Sequence, residues 1–255
     1  RQTQGMSPIA LTLDYIRVLI ALAMLGYASY KDIKTREIHD IVWIIPTGIG
    51  LLIDAYEIII GNLSATGALY NIGFMVILSG ILWYLSLFGE ADLIAFVALS
   101  VIHPRTPLFG YIGYAPLLFS FTMIANSAIA GVLMAFYTLF ANLAQSSNAN
   151  LFERHEDISI VKKIALLFTG RNIPVKSLRG PPFEYPLEIR GELVLRPDIF
   201  DDDEAWKAFR YLRERGVKRV WVSSTLPYIV VLLVGYFISV VFGDVMFTIM
   251  SMLLL

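Results

Sequence analysis

Long apolar runs separated by short polar loops are the feature that most constrains how this chain can fold. Each helical residue advances about 1.5 Å, so a helix that crosses the hydrocarbon core of a bilayer needs about 20 mostly apolar residues. Four runs are long enough or nearly so, at residues 11–30, 41–60, 69–87 and 108–143. Since 57% of the residues are hydrophobic and only 16% are charged, the excess favours a polytopic α-helical membrane protein over a large soluble core.

Two shorter apolar segments add to these four runs. Residues 93–102 end before Pro104 and Pro107, which interrupt a helix. Residues 226–242 form a predicted last span and precede an apolar tail. Within the longest run, Pro116 is expected to separate an entry segment from the fifth helix. The sequence therefore predicts six transmembrane helices, of which the fourth is short.

Charged and proline residues in the first two runs carry specific expectations. Asp14 and Arg17 are three residues apart and share one helix face, so we expect a local ion pair at the membrane interface. No small-residue cleavage site follows this run, which is therefore expected to be a retained span rather than a removed signal peptide. Asp40 is expected to cap the second helix, and Pro46 to lie near its start, where a missing N–H matters least.

The composition changes after residue 143, where a polar linker leads into a segment that holds most of the Lys and Arg residues. Residues 201–215 begin with acidic residues, end with basic ones and are followed by Gly216, which is typical of a well-capped helix. Another helix is predicted over 158–168, a hairpin around Gly191 and a strand over 217–222. This mixture indicates a small, water-soluble α+β domain.

Three parts follow from these features. The first is a membrane domain with five spans at 1–143, the second a soluble domain at 144–222, and the third a final transmembrane helix with an apolar tail at 223–255. Basic residues accumulate in cytoplasmic loops. Loop 31–40 carries several of them, whereas loop 61–66 carries none. We therefore expect the N-terminus to lie outside the cell membrane and the soluble domain to be cytoplasmic.

Two aspartates fall on the cytoplasmic side under this arrangement. Asp32 ends the first span, and Asp92 stands just before the short fourth segment. Ionisable residues at a hydrocarbon boundary are costly and often functional. Two neighbouring carboxyl groups that share one proton can activate water and polarise a peptide carbonyl, which is the chemistry of an aspartyl protease. Alternatively, the two acids are helix caps or solvated interfacial charges, and the spacing leaves that interpretation open.

The segments around these aspartates resemble motifs of a known family. Asp32-Ile33-Lys34-Thr35-Arg36-Glu37-Ile38 resembles the first-aspartate segment of prepilin peptidases. Gly89-Glu90-Ala91-Asp92 resembles their second motif, Gly-x-Gly-Asp. Residues 220–223 and 226–229 resemble the junction into the last helix of archaeal preflagellin and prepilin peptidases. Over most of its length the chain is thus similar to the type IV prepilin peptidase family of GxGD-type intramembrane aspartyl proteases.

The resemblance implies that Asp32 and Asp92 are the catalytic residues of an endopeptidase. Its implied substrates are prepilin or preflagellin precursors, in which a short basic leader is cut from a hydrophobic helix at the cytoplasmic face. Relatives that also N-methylate the product often have a cysteine-bearing region. This chain has no cysteine and no glycine-rich cofactor loop, so we expect no methyltransferase activity, no metal and no other cofactor. Membrane lipid is a further expected partner, and the net charge of −1 argues against nucleic acid.

Three residues beside Asp92 are candidates for supporting roles. Gly89 and Ala91 are small, which would let backbone or substrate approach the carboxyl group closely. Ala91 departs from the glycine of the family motif, and alanine does not readily adopt a positive φ. This departure puts full activity in question. Glu90 adds another carboxylate to the pair and is an alternative catalytic candidate, although the motif places its aspartate last.

Two more distant residues are also candidates for supporting roles. Arg36 follows Asp32 by one helical turn and would hold the loop or contact a lipid phosphate, but an ordinary positive-inside residue needs no such role. Asn126 is a polar residue inside the fifth span, where a hydrogen bond to another helix is the usual reason for a buried amide.

Other classes of protein remain open at this point. A transporter or channel could bind a cation or relay a proton through the same acids, although such proteins often show internal repeats, and none is visible here. A presenilin-like protease would use the same chemistry, but the sequence has Ala115-Pro116-Leu117 in place of a Pro-Ala-Leu motif. The alanine in the second aspartate motif also leaves room for a catalytically inactive membrane adaptor.

Overall fold

The computed structural model describes residues 8–146, 151–155, 157–189, 192–195, 201–224 and 227–254. These residues form two compact units, one from the chain before residue 131 together with the chain after residue 226, and the other from residues 131–226. In chain order the α-helices are α1 (Pro8–Lys34), α2 (Ile41–Ile59), α3 (Ala65–Tyr84), α4 (Glu90–Ile102), α5 (Phe119–Ser146), α6 (Ile160–Thr169), α7 (Asp202–Glu214), α8 (Tyr228–Val241) and α9 (Val245–Leu253).

Four helices are long and apolar enough to cross a membrane, namely α1, α2, α3 and α5. The helical membrane fold predicted from the apolar runs is therefore confirmed in outline. The helices α4 and α8 have 13 and 14 residues, which corresponds to a length of about 20 Å, less than the hydrocarbon thickness. The predicted count of six spans is consequently not confirmed.

The short helix α4 lies at the centre of the first unit, where it packs against α1, α2, α3 and α8. Its buried residues include Phe96, Leu99 and Ile102, which join Leu25 of α1 and Tyr236 of α8 in one apolar cluster. Protein therefore surrounds α4 on most sides, so its position in the fold is set by these neighbouring helices.

Several predicted helix boundaries differ from the observed ones. Helix α1 continues to Lys34, so Asp32 lies inside its last turn instead of in the following loop. Asp40 precedes α2 but its side chain makes no capping hydrogen bond, which corrects the predicted cap. Pro46 lies inside α2, in its second turn. The predicted linker overlaps the end of α5, which reaches Ser146, and residues 147–150 lie outside the described part of the chain.

Arg17 does not pair with Asp14, so the predicted local ion pair is wrong. The guanidinium of Arg17 lies 2.7 Å from both Asp54 Oδ1 and Glu57 Oε2 of α2, and it donates a 2.7 Å hydrogen bond to the Ile102 carbonyl at the end of α4. The side chain of Arg17 is 1% exposed. Buried charges need several partners, and these come from other helices, which spacing along one helix cannot reveal.

Asp14 has its own partners in the loop that follows α4. Its Oδ2 accepts hydrogen bonds from Arg105 Nη1 at 2.9 Å and from the Leu108 N–H at 2.7 Å. Arg105 also pairs with Glu57 at 3.1 Å. The five charged side chains therefore form one network, which we call the buried charge network: Asp14, Arg17, Asp54, Glu57 and Arg105. It ties α1, α2, the end of α4 and the next loop together.

Small residues allow α5 and α8 to approach each other closely. A Cβ atom added at Gly235 of α8 would lie 2.4 Å from the backbone nitrogen of Ser127, closer than real Cβ contacts allow. Any larger residue would push the two helices apart at this crossing. Glycine is therefore needed at position 235 because the helices are close, and not because of its backbone conformation.

The second unit contains a small antiparallel sheet. Its strands are β1 (Arg171–Pro174), β2 (Glu184–Pro186), β3 (Glu188–Ile189), β4 (Glu192–Leu193) and β5 (Arg219–Ser224). Strand β5 is central in the order β1-β5-β2, and β3 pairs with β4. Apolar residues of β1, β5 and α7 form the core, including Ile173, Val220 and Phe209.

The predicted α+β character of this region is confirmed. Helix α7 begins after Asp201, whose side chain accepts a hydrogen bond from the Glu204 N–H, and Gly216 beyond its end has φ of +69°. Strand β5 and the β3–β4 pair were also predicted, although the hairpin residues Arg190 and Gly191 lie outside the described residues. The strands β1 and β2 were not predicted.

We expect Arg17→Met to lower the free energy of unfolding by about 3–5 kcal/mol, because it leaves buried carboxylates without their cationic partner. Thermal unfolding in detergent would measure this loss. The matched control is Arg210→Met on the exposed face of α7, where we expect a change of at most about 0.5 kcal/mol. Equal melting temperatures for the two variants would show that the buried charge network does not stabilise the fold.

Candidate active site

Asp92 lies in the first turn of α4, where the backbone and its carboxyl group are tied together. Gly89, the residue before the helix, is extended and accepts hydrogen bonds from the Asp92 and Leu93 N–H groups at 3.1 and 3.2 Å. Its own N–H donates to Asp92 Oδ2 at 3.2 Å. A Cβ atom at position 89 would lie 3.4 Å from that oxygen. Glycine therefore keeps the surroundings of the carboxyl group small.

Asp32 is buried in the last turn of α1, with 9% of its surface exposed. Its Oδ1 is paired with Arg36 Nη1 at 3.1 Å, one helical turn further along. Arg36 has φ of +60°, a left-handed conformation that is uncommon outside glycine. The chain therefore turns sharply after α1 while the Arg36 side chain reaches back to Asp32. This contact with Asp32 is compatible with the suggested role of Arg36 in holding the loop, and that role stays a prediction.

Helices α1 and α4 pack together, and the charge of Asp32 acts on Asp92. Asp92 precedes the apolar segment 93–102, and burial raises its pKa to about 7. The hydrogen bond from Gly89 lowers this pKa, the negative charge of Asp32 raises it, and the Arg36 guanidinium lowers it. No hydrogen bond joins the two carboxyl groups in the part of the chain that the structure describes. Asp32 therefore acts on Asp92 through its charge, without a hydrogen bond between the two carboxyl groups.

Aromatic side chains cover the start of α4. Phe88, Phe96 and Tyr228 are mutually packed, with ring centroids 4.8 to 5.9 Å apart. The Tyr228 hydroxyl is 2.6 Å from the hydroxyl of Ser127. Sequence reasoning did not select Tyr228 as a site residue, although it lies in the segment that resembles the junction into the last helix. These rings form an apolar cluster near the start of α4 and the start of α8.

Ala91 lies inside α4, partly buried against the apolar cluster. It is not among the residues with positive φ. Alanine is the residue best suited to a helix, so the departure from the motif glycine imposes no backbone strain here. The concern that alanine disturbs this position is therefore not supported by its conformation.

Glu90 is the first residue of α4 and is exposed. It lies at the edge of an apolar groove that α2, α3 and α4 form, with a volume of about 870 Å³. Asp32 and Arg36 are the charged residues that shift the pKa of Asp92, and Glu90 is not among them. Glu90 therefore differs from Asp32 in its relation to Asp92.

Asn126 is not brought to the two aspartates. Its Nδ2 donates 2.8 Å hydrogen bonds to Ser239 Oγ and to the Gly243 carbonyl, at the end of α8 that is far from Tyr228. Its Oδ1 accepts a hydrogen bond from the Val245 N–H at 3.4 Å. These bonds account for the buried amide, as expected for a polar residue between helices.

The described residues include no group of three or more His, Asp or Glu side chains placed to hold a metal ion. The buried His103 instead has its Nε2 atom 2.9 Å from the Tyr236 hydroxyl. The two carboxyl groups of the site can transfer a proton, polarise a carbonyl and activate water.

Comparisons with known proteins bear on the class of protein. Residues 162–245 match a family model described as Archaeal Peptidase A24 C-terminus Type II. The preflagellin peptidase of Methanococcus voltae is 27% identical over 241 residues, which cover 89% of this chain and 96% of that protein. The preflagellin peptidase of Methanococcus maripaludis is 23% identical over 248 residues, covering 90% and 96%.

These similarities identify the chain as a protease, which confirms the enzyme class predicted from the two aspartate motifs. Within that class, the resemblance to archaeal preflagellin peptidases is confirmed as well. The family match covers most of the second unit together with α8, and it does not include Asp32 or Asp92. The roles of those residues stay a prediction.

The raised pKa of Asp92 can be tested by following its carboxyl group with carbon NMR. We expect the group to be mainly protonated below about pH 7 and ionised above it. Asp32→Asn removes the neighbouring negative charge and releases Arg36, and both effects should lower the midpoint. The exposed Asp40→Asn is the control and should leave the midpoint unchanged. Equal midpoints in all three proteins would mean that Asp32 and Asp92 do not interact.

A second variant tests the motif alanine. Because Ala91 is helical, we expect Ala91→Gly to leave the rate of substrate cleavage unchanged and to lower stability by up to about 1 kcal/mol. Cleavage assays and thermal unfolding on the same preparation would separate these effects. A clear gain in rate would show that the alanine restricts the site.

Proposed function

We propose that the chain is a membrane-embedded aspartyl endopeptidase that removes the short basic leader from preflagellin or prepilin precursors. The similarity to two preflagellin peptidases over about nine-tenths of the chain supports the substrate class. The single observation that carries the mechanism is the placement of Asp32 in the last turn of α1 and Asp92 in the first turn of α4, two helices that pack together. Two carboxyl groups placed in this way can hold one proton between them.

The two acids then divide the work of peptide hydrolysis. Asp92, with a pKa of about 7, donates its proton toward the peptide carbonyl oxygen. Asp32, paired with Arg36, accepts a proton from water as the water oxygen bonds to the carbonyl carbon. The C–N bond then breaks as Asp32 passes its proton to the leaving nitrogen, Asp92 takes back a proton from the hydroxyl formed from the carbonyl, and the leader leaves with a new carboxyl end. Which carboxyl group donates a proton and which accepts one is a property of the pair and not of either residue alone.

The orientation in the membrane follows from charge. The last turn of α1 carries Lys31 and Lys34, and Arg36 follows it, so this end of the bundle is assigned to the cytoplasm. Six crossings, with residues 93–102 and α8 as short spans, then leave the soluble domain at residues 144–222 in the cytoplasm and the N-terminus outside. The basic leader would remain in water while the apolar helix that follows it stays in the membrane. Without a methyltransferase region, hydrolysis is the only reaction we assign.

The test is cleavage of a preflagellin precursor by protein purified in detergent. We expect Asp32→Asn and Asp92→Asn each to reduce the rate at least about 100-fold, because each removes a group that transfers a proton. The control is the exposed Asp40→Asn, which should keep the parent rate, and thermal unfolding would show that all variants are folded.

Two results would contradict the proposal. Near-full activity in one aspartate variant would mean that this residue is misassigned, with Glu90 as the next candidate. A folded parent protein that cuts neither preflagellin nor prepilin would remove the substrate assignment and favour the transporter or adaptor interpretation.

A further inference from the structure

An apolar groove with a volume of about 870 Å³ lies beside the candidate active site. It is formed by α2, α3 and α4, and nearly all of its lining is apolar. The lining uses residues 43–51 of α2, 76–83 of α3 and 90–98 of α4. Nine helical residues extend about 12 Å, so the groove matches about two turns of a helix. It runs along α4 from the end that carries Asp92.

Two glycines line the groove at positions where the surrounding residues leave room for a larger side chain. A Cβ atom added at Gly48 of α2 or at Gly80 of α3 would meet no heavy atom within 4 Å. Glycine inside a helix is unfavourable relative to alanine. Small residues at the surface of membrane helices allow another helix to approach closely. The empty space in front of both glycines therefore suits a further helix.

A polar group inside the groove points to the same kind of occupant. Ser79 lines the groove and is 6% exposed, and its hydroxyl has no hydrogen-bond partner among the residues that the structure describes. A buried hydroxyl without a partner is unfavourable. A polar atom of a bound polypeptide could satisfy it, whereas the hydrocarbon of a lipid chain could not.

Charge distinguishes the two ends of the groove. Glu90 lines the end next to Asp92 and is exposed, so a cation can reach it. Further along α4 the lining residues, such as Ile94 and Val97, are apolar. An occupant that fits this pattern is an apolar helix preceded by basic residues.

We propose that this groove binds the apolar helix of the precursor, with the basic end of the leader beside Glu90. This inference rests on the proposed function, because it assigns the binding site for the same substrate. A helix that lies along α4 would begin beside Asp92. The peptide bond just before that helix, which is the bond to be cut, would then lie next to the two aspartates while the rest of the helix is held in the groove.

Crosslinking tests the occupant without relying on cleavage. The chain has no cysteine, so single cysteines can be placed at will. In an Asp92→Asn background, Gly48→Cys and Gly80→Cys should form disulfides with a preflagellin precursor that carries one cysteine in the first turns of its apolar helix. The control is Gly26→Cys in α1, where an added Cβ atom also meets no heavy atom. It should form no such crosslink.

Filling the groove tests its role in catalysis. We expect Gly48→Leu and Gly80→Leu to raise KM for the full precursor about tenfold or more, because the added methylenes occupy the space of the bound helix. Gly26→Leu should keep the parent KM. A water-soluble peptide that spans the cleavage site but lacks the apolar helix should be cut equally by parent and variants, which shows that the aspartates are intact.

The outcomes separate this inference from the proposed function. A parent protein that cuts no precursor contradicts the proposed function itself. A parent that cuts normally, with no crosslinks at positions 48 and 80 and an unchanged KM in the leucine variants, overturns only the groove assignment and leaves lipid as the occupant. Crosslinks at 48 and 80, but not at 26, together with the raised KM, support it.

Discussion

The buried guanidinium of Arg17 is the interaction on which the arrangement of the first unit depends. A charge in an apolar interior is strongly unfavourable unless it has close, well-placed partners. Arg17 finds them in Asp54 and Glu57 of α2 and in the carbonyl of Ile102 at the end of α4. These contacts fix three helices relative to one another at a single point. Arg105, which also binds Glu57, extends the constraint into the loop after α4.

This constraint reaches the candidate active site through α4. Ile102 and Asp92 are at opposite ends of the same helix, about 15 Å apart along its axis. A helix of this length is rigid, so fixing one end and packing its sides against α1, α2, α3 and α8 sets the position of the other end. The buried charge network therefore stabilises the location of Asp92 without taking part in the chemistry. A membrane-embedded carboxyl pair needs such support, because neither lipid nor mobile water can hold it in place.

The sequence predicted those elements whose signal is local. The apolar runs predicted the four long helices, the acidic start and Gly216 predicted α7, and the two motifs singled out Asp32 and Asp92. The partners of Arg17 could not be predicted, because Asp54, Glu57 and Ile102 are brought to it only by tertiary packing. The strands β1 and β2 were missed for the same reason, since their three to four residues become strands only by pairing with β5. Asn126 was predicted as a supporting residue because it is polar and lies inside a span. The sequence does not reveal which end of a neighbouring helix its side chain contacts.

The position of the two aspartates reconciles opposite requirements of the proposed reaction. Burial keeps a proton on Asp92 near neutral pH, but the same burial excludes the water that hydrolysis consumes. Asp32 lies at the end of α1, next to the polar loop that contains Arg36, so water can arrive from that side. The rings of Phe88, Phe96 and Tyr228 pack together near the start of α4 and provide apolar surroundings there. A pair of acids placed deeper in the membrane would retain the proton and lose the water, whereas a pair in open solution would keep the water and lose the proton. The boundary between the two environments is therefore the location at which this chemistry can proceed.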